Sequence, residues 1–403
     1  MARPLTGCAG WVWRWLPVPH QSVLSQPMRQ ETTGNFWLQP TTRAFLQEND
    51  FGFTTRYVEV MHNGSGRRLV ATLQSFDFSA PGNVSDAAKG TTSRADVRRR
   101  LLVPFKFPVL AIGQLLNSGP YAMESDAQFS PEELAELLAS LAATLQEEPG
   151  KTYAVIIKDL FVTNNATTQR LLDGGYYALP VDPVMELAIP AAWKSIDDYL
   201  VDLSSKYRVR YRRARAKFTG LSCRPLLTDE ARQRSRELHE LYQLTSEGAS
   251  YNGVQLSPAY FAWVAAQPGP FQLGEDTNAG ARPSSIMGYF DGEQLVGFAS
   301  AIVNGTVLHA HYLGLRSDYK YSHHLYHNVL YDLLAAGIRV GCTKVDYGRT
   351  ALEIKSSLGA IPVDYACLVK ARNRLVNRLV PLFTPAVYTA PSWQQRNPFR
   401  SSP

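Results

Sequence analysis

Five of the eight histidines lie between His309 and His327, and their spacing allows two kinds of chemistry. His309 and His311 share one face of a predicted strand, and His323 and His327 stand i,i+4 on the helix after it. Converging, the two pairs would hold a metal. Strand and helix run away from their shared turn, however, and no Asp or Glu is placed to complete a ligand set, so no metal is expected. A neutral imidazole at a strand end suits general-base work, and His311 is the better placed. In the competing reading both histidines pack and hydrogen-bond within the sheet. Tyr319, Tyr321 and Tyr347 are placed to protonate a leaving group or to line an acceptor cleft, Tyr347 being the catalytic candidate. Aromatic residues near strand ends equally serve as core or rim.

A second constellation suits anions. Residues 344–365 read as a short strand, a Gly348-Arg349-Thr350 turn, a helix over 351–358 stopped by Gly359, and another strand. An Arg fork and backbone N–H groups at a helix start favour a bound anion. Arg316, Arg349, Thr350 and Lys355 are therefore candidates, with Tyr319 and Tyr321, for binding an anionic donor or acceptor. In the competing reading Thr350 only caps the helix, Arg349 pairs with a neighbouring carboxylate, and Lys355 snorkels from the surface.

Charge is concentrated in a third place. Residues 206–217 carry seven positive charges and no acid within a chain of net charge +6, so the remainder stands at −1. The basicity is one element and not a general nucleic-acid-binding surface. At helical spacing Lys206, Arg210, Arg213 and Lys217 form one face, Arg208, Arg212 and Arg215 lie between, and Leu203, Tyr207, Tyr211, Ala214 and Phe218 form the apolar face. Charge runs are commonly solvated faces, yet like charges at i,i+4 destabilise a helix. Phosphate contact by Arg208, Arg212 and Arg215 is the functional reading.

The elements that must position these groups recur. A strand at 153–159, a helix at 166–172, a Gly174-Gly175 stop and a strand opening Leu179-Pro180-Val181-Asp182 match the later strand, helix, Gly359 stop and Ile361-Pro362-Val363-Asp364. Each copy follows a helix, at 131–146 and 322–336, and each is led by three strands. The second set of three is joined by Asp291-Gly292 and Asn304-Gly305 hairpin signals. Ser130 with Glu133, and Ser195 with Asp198, are capping boxes. A period of some 180–190 residues is too long for a solenoid and indicates a tandem duplication of a βββαβαβ unit.

At 403 residues and 45% apolar composition the chain can bury two or three domain cores. No apolar run reaches the roughly 18–20 residues of a membrane span. Cys8, Cys223, Cys342 and Cys367 form no CxxC, the usage of a reducing compartment, and a cytoplasmic location is expected. Residues 1–35 read as a loosely attached leader, 79–96 and 271–283 as polar loops, and 384–403 as a Pro- and Ser-rich tail.

A βββαβαβ unit with an antiparallel front and a parallel exit resembles the GNAT acyltransferase fold. Two such units in tandem are similar to its FemAB-like branch. The further points of resemblance are Tyr199-Leu200, Leu203-Ser204-Ser205-Lys206-Tyr207-Arg208, Asp346-Tyr347-Gly348-Arg349-Thr350, Lys355 and Leu358-Gly359-Ala360. The resemblance covers residues 36–383. It implies an α/β chain with mixed sheets, an N-terminal GNAT-like domain at 36–190, a C-terminal one at 191–383, and a basic linker helix at 203–218. It also implies direct N-acyl transfer, without a covalent enzyme intermediate, to an amine on a small molecule or cell-envelope precursor.

The donor implied by the GNAT fold is acyl-CoA, held by a Gln/Arg-x-x-Gly-x-Gly/Ala turn. Here that turn is Arg316-Ser317-Asp318-Tyr319-Lys320-Tyr321-Ser322, without glycine, and side chains obstruct close backbone approach to a pyrophosphate. The substitution weighs against acetyl-CoA and leaves an aminoacyl group on tRNA as an alternative donor. A rival of another class is a non-catalytic duplicated fold whose basic helix binds a phosphate-bearing polymer or lipid headgroups.

Overall fold

The N-terminal residues expected to form a loose leader open a sheet instead. β1 (Arg3–Pro4) pairs with β2 (Trp11–Leu16), and β2 pairs antiparallel with β3 (Thr54–His62). Trp11, Trp13 and Trp15 alternate along β2, and Trp13 is 1% exposed. Burying one side chain of this size stabilises by about 3 kcal/mol, which is why an aromatic alternation reads better as a strand than as a leader. The computed structural model describes residues 2–19, 34–79, 106–148, 152–161, 166–246, 254–272, 284–387 and 391–400. Part of the expected leader (20–33) and most of the two polar loops lie outside these residues.

The first unit continues with α1 (Pro40–Glu48), β4 (Arg68–Ser79), β5 (Lys106–Ile112), β6 (Met123–Ser125), α2 (Pro131–Glu147), β7 (Ala154–Phe161), α3 (Ala166–Asp173) and β8 (Tyr177–Leu179). The Ser130/Glu133 capping box is formed, and Leu137, Leu138, Leu141 and Leu145 of α2 are buried on the sheet.

The chain then enters a second unit, Pro183–Ala249, Leu256–Val363 and Ser392–Pro403. Its elements are β9 (Val184–Ala188), α4 (Ile196–Asp202), α5 (Ser205–Lys217), β10 (Leu221–Pro225), α6 (Thr228–Gln233), α7 (Ser235–Ser246), α8 (Pro258–Ala265), β11 (Ile286–Asp291), β12 (Gln294–Asn304) and β13 (Val307–Leu315). They are followed by α9 (Ser317–Ser322), α10 (Leu325–Arg339), β14 (Lys344–Asp346), α11 (Leu352–Ser356) and β15 (Ile361–Val363). The Asp291-Gly292 and Asn304-Gly305 turns join β11 to β12 and β12 to β13, with Gly292 and Gly305 at positive φ of 55° and 60°. The last strand, β16 (Tyr365–Ala371), and α12 (Arg374–Val387) belong to the first unit.

Both units are mixed α/β structures. The first sheet runs β1-β2-β3-β4-β5-β7-β16-β8, with β6 on β4, and the second β10-β11-β12-β13-β14-β9-β15. In each sheet the strands expected from the sequence keep their order, with added strands at the edge and one inserted strand between two of them. β16 fills the gap between β7 and β8, antiparallel to both, and β9 fills the gap between β14 and β15 in the same way. The strand completing each sheet therefore comes from the other half of the sequence. A boundary at residue 190 is replaced by one at Asp182/Pro183, with Asp364–Pro391 returning to the first unit.

The basic segment is folded into the second unit as α5, against α10. The expected tail is likewise packed: Phe399 bridges to Leu203 and lies against Gly359, where a Cβ would fall 2.3 Å from its ring.

Two features of β13 shape the site. β13 and β14 pair in parallel only from Val307–Lys344 to His309–Asp346, after which β13 runs on to Leu315. Within that free run the β12–β13 register shifts: Ala299 faces Leu313 and Ala301 faces Ala310, so His311 and Tyr312 oppose the single residue Ser300. Ser300 Oγ holds the bulge, accepting from Tyr312 N at 2.9 Å and donating to Tyr312 O at 2.7 Å. Bulges of this kind re-aim side chains at sites. α7 crosses β13 so closely that a Cβ on Gly314 would lie 2.5 Å from the Leu241 carbonyl carbon.

Candidate functional site

The residues at the parting of β13 and β14 form two linked pairs. His309, 1% exposed, shares its Nδ1 with Asp346 Oδ2 at 3.1 Å. The other carboxylate oxygen of Asp346 accepts from Gly348 N at 2.7 Å. One aspartate therefore fixes both the imidazole's orientation and the start of the turn after β14. An Nδ1–H donated to a carboxylate sets the tautomer of the ring.

His311, two residues on, shares Nε2 with the hydroxyl of Tyr260 on α8 at 2.5 Å. Burial, with the neighbouring His309, pushes its imidazole down to about 3. Burial likewise pushes the Tyr260 phenol well above its usual value, so it remains a donor. Nε2 then accepts, and the hydrogen of this neutral ring sits on Nδ1. A base of such low affinity for protons is a poor acceptor near neutrality. Burial of the ring thus weighs against the general-base role expected of His311.

Tyr347 is a core residue, 4% exposed, whose hydroxyl donates to Leu330 O at 2.9 Å, rather than a proton donor at the parting. Lys355 is 3% exposed, neither snorkelling nor available to an anion. Its ammonium donates to Gly348 O at 3.1 Å and Arg349 O at 2.5 Å. These bonds clamp a turn in which Gly348, Thr350 and Ala351 all have positive φ, of 69°, 67° and 48°. Two non-glycine residues in that region are strained and need such support. Thr350 is exposed and caps nothing; α11 begins after Ala351, has five residues and lacks a side-chain cap.

Around the glycine-free turn, Tyr319 donates to Asp291 Oδ2 at 2.7 Å and stacks on His323 at 5.0 Å. Tyr321 is 75% exposed, and Arg316 stands 3.8 Å from Asp318 in a loose surface pair. The turn is itself helical, as α9. His323 and His327 make no common cluster with His309 and His311, and among the described residues no three His, Cys, Asp or Glu side chains converge on a metal position.

On α5 the three arginines named from the sequence divide. Arg208 donates to Leu203 O at 2.6 Å and Arg215 pairs with Asp332 at 2.7 Å, so both are structural. Arg212 is exposed. The open charge lies on the other stripe: Arg210, Arg213 and Lys217 are exposed and bear on the start of α10. Burial and these three cations lower the His324 imidazole; burial, Arg210 and His324 push His327 down to about 4. Three cations aimed at the N-terminal end of a 15-residue helix make a positive field where a phosphate is stabilised.

Sequence reasoning passed over four residues. Asp346 was visible in the Asp-Tyr-Gly-Arg-Thr run, and Asn328 and Asp332 are polar positions inside the otherwise apolar face of α10. Tyr260 had no signal, lying 51 positions from His311.

The two most depressed histidines, His311 and His327, set an acid limit. Each has a folded-state affinity for protons below its unfolded value near 6.5, so their contribution is complete above that pH and is lost as pH falls. By linkage the unfolded chain gains about 2 kcal/mol per imidazole at pH 5. Urea unfolding at pH 7.5 and 5 is expected to show a loss that shrinks by roughly that amount in His327→Gln. An unchanged pH dependence in the variant would contradict the assignment.

No protein-family model matches the chain, and no curated protein matches it. Among solved structures the chain is similar to FemX, at 14% identity and TM-score 0.48, over 82% of this chain and 90% of that one. It is also similar to a GCN5-related N-acetyltransferase from Sphaerobacter thermophilus, at 10% identity and TM-score 0.39, over 78% and 80% of the two chains. A third is Saccharomyces cerevisiae N-myristoyltransferase with bound myristoyl-CoA, at 12% identity and TM-score 0.41, over 91% and 79%.

Proposed function

We propose that this chain is a cytoplasmic N-acyltransferase that moves an acyl group from a phosphate-bearing activated donor to an amine, at the parting of β13 and β14 in the second unit. The observation that carries the reading is the neutral His311, held by Tyr260 on a bulged strand that has left its parallel neighbour. In this reading an extended donor arm lies beside the strand, with its carbonyl oxygen at the His311 ring. The neutral amine attacks the acyl carbon, a C–N bond forms as the C–S or C–O bond breaks, and the amine's proton ends on the departing thiol or hydroxyl. The developing oxyanion is where a preorganised donor contributes most. Asp346 and His309 hold the base of the parting, and Lys355 holds the turn beyond it.

The donor's phosphates are assigned to Arg210, Arg213 and Lys217 with the start of α10. This arrangement grips phosphate through side chains, in keeping with a turn that has no glycine for backbone approach. It suits acyl-CoA or an aminoacyl-tRNA, and the acceptor is an amine on a small molecule or cell-envelope precursor. The exposed cation stripe equally favours the second reading, a phosphate-binding protein without catalysis.

Calorimetric titration of the full chain with acetyl-CoA, longer acyl-CoAs and aminoacyl-tRNA, followed by mass spectrometry of products from a panel of amines, separates them. Acyl-amine formation lost in Arg210→Glu/Arg213→Glu supports the enzyme. Binding without product from any donor favours the second reading, and no binding at all overturns both.

A further inference from the structure

Among the described residues α12 stands out as a long helix whose apolar side faces outward. Leu375 is 70% exposed, Val376 50%, Leu379 46% and Leu382 49%. Leu375, Leu379 and Leu382 follow i, i+4, i+7 and make a continuous stripe. The helix is held to the first unit from its other side: Asn377 Nδ2 donates to Gly175 O at 2.8 Å, and Ala371 N donates to Asn377 Oδ1 at 2.8 Å. Exposure of four large aliphatic side chains on one helix is a patch that soluble surfaces rarely carry.

The charges around the stripe are of one sign. Residues 370–387 contain Lys370, Arg372, Arg374 and Arg378 and no acid. Arg372, Arg374 and Arg378 are exposed and have no ion-pair partner among the described residues. At 100° per residue Arg374 and Arg378 border the Leu375–Leu382 edge of the stripe, where their stems can lie along apolar surface while the guanidinium groups reach a polar layer. Tyr153, 51% exposed, stands at the foot of the helix, its carbonyl accepting from Arg372 N at 2.8 Å.

We propose that α12 is an interfacial anchor, which lies in the plane of an anionic phospholipid surface with its leucines among the acyl chains and its arginines at the headgroups. Apolar residues on one side, cations at the border and no acid form the composition that binds anionic bilayers through buried apolar area and electrostatic attraction together. Its 14 residues extend about 21 Å, less than the hydrocarbon thickness of about 30 Å. Its start is tied to β16 and its Asn377 to Gly175, so one side of the helix is held against the first unit. A second copy of the same face is a poorer occupant, because a two-fold contact would set Arg374 and Arg378 against their own duplicates with no acid between them. The inference is independent of the acyl-transfer reading.

The test is co-sedimentation of the full chain with vesicles of phosphatidylcholine alone and of phosphatidylcholine with phosphatidylglycerol. Binding to the anionic vesicles only, weakened by salt, is expected. Leu375→Gln/Leu379→Gln/Leu382→Gln and Arg374→Glu/Arg378→Glu should each reduce it at least tenfold while the thermal midpoint stays that of the parent. Amide exchange over 374–387 should slow when anionic vesicles are added to the parent chain. Failure of the parent to sediment, or sedimentation undiminished in the leucine variant, overturns the proposal. A concentration-dependent dimer that the leucine variant abolishes, without vesicle binding, does so in favour of a second copy.

Discussion

His311→Gln is expected to lower kcat for acyl transfer by roughly 10²–10³-fold with the donor KM nearly unchanged, the loss associated with removing one donor aimed at a developing oxyanion. The ground-state carbonyl makes a weaker bond to Nδ1–H than the oxyanion does, so the cost falls on kcat. Tyr260→Phe keeps the ring but removes the bond that selects its tautomer, and about tenfold is expected. The pH profile discriminates between roles. With His311 held down at about 3, its titration supplies no limb between pH 5 and 8, and any acidic limb belongs to the acceptor amine and is retained in His311→Gln. Loss of a limb near 6.5 in that variant would restore the general-base role. Steady-state kinetics of the parent and both variants, measured from pH 5 to 9 with the donor identified by titration, decide between them.

Much of this arrangement was legible in the sequence because it is encoded locally. Period-two alternation and Asp-Gly or Asn-Gly turns placed β11, β12 and β13, and the Ser130 and Ser195 boxes placed two helix starts. The recurring order of helix, strand, helix and strand was visible for the same reason. What escaped is non-local. Nothing in residues 184–188 says which sheet they complete, since a strand buried on both faces satisfies its pattern in either one, and β9 and β16 were consequently left in their own halves. Lys355 is a charged residue at a position the helical pattern treats as surface; only the strained Gly348–Ala351 backbone, which the sequence does not display, supplies the carbonyls that bury it. His311 was identified, but its basicity was not legible, because that depends on burial and on Tyr260, a residue from another helix. The basic helix shows the same limit. Its cation count was plain, yet which arginines are spent on structure depends on Asp332 and on the carbonyl of Leu203.

Asp332→Ala is expected to destabilise the second unit by about 2–3 kcal/mol, below the roughly 3–5 kcal/mol of a fully buried ion pair because Arg215 and Asp332 are only partly buried. Asp332 Oδ1 takes Arg215 Nη2 at 2.7 Å while Oδ2 accepts from the Tyr289 hydroxyl at 2.9 Å. Arg215 also donates to Asn328 Oδ1 at 3.2 Å, and Asn328 Nδ2 donates to Ala214 O at 2.9 Å. α5, α10 and β11 are thus joined through one carboxylate. Burial raises the Asp332 carboxyl while Arg215 opposes the rise. Without the carboxylate, Arg215 keeps only Asn328 Oδ1 and the buried Tyr289 hydroxyl loses its acceptor. Arg215→Met/Asp332→Leu removes both charges and should recover most of the loss, since a buried pair replaced by apolar groups of similar size is often neutral. Tyr289→Phe removes one hydrogen bond to a charged group and should cost about 1.5–3 kcal/mol. Urea unfolding combined with amide exchange of α5 and α10 measures all three. If the single and double variants are equally destabilised, the carboxylate contributes packing rather than charge, and α5 is held to α10 by its apolar face, Tyr207 and Ala214, instead.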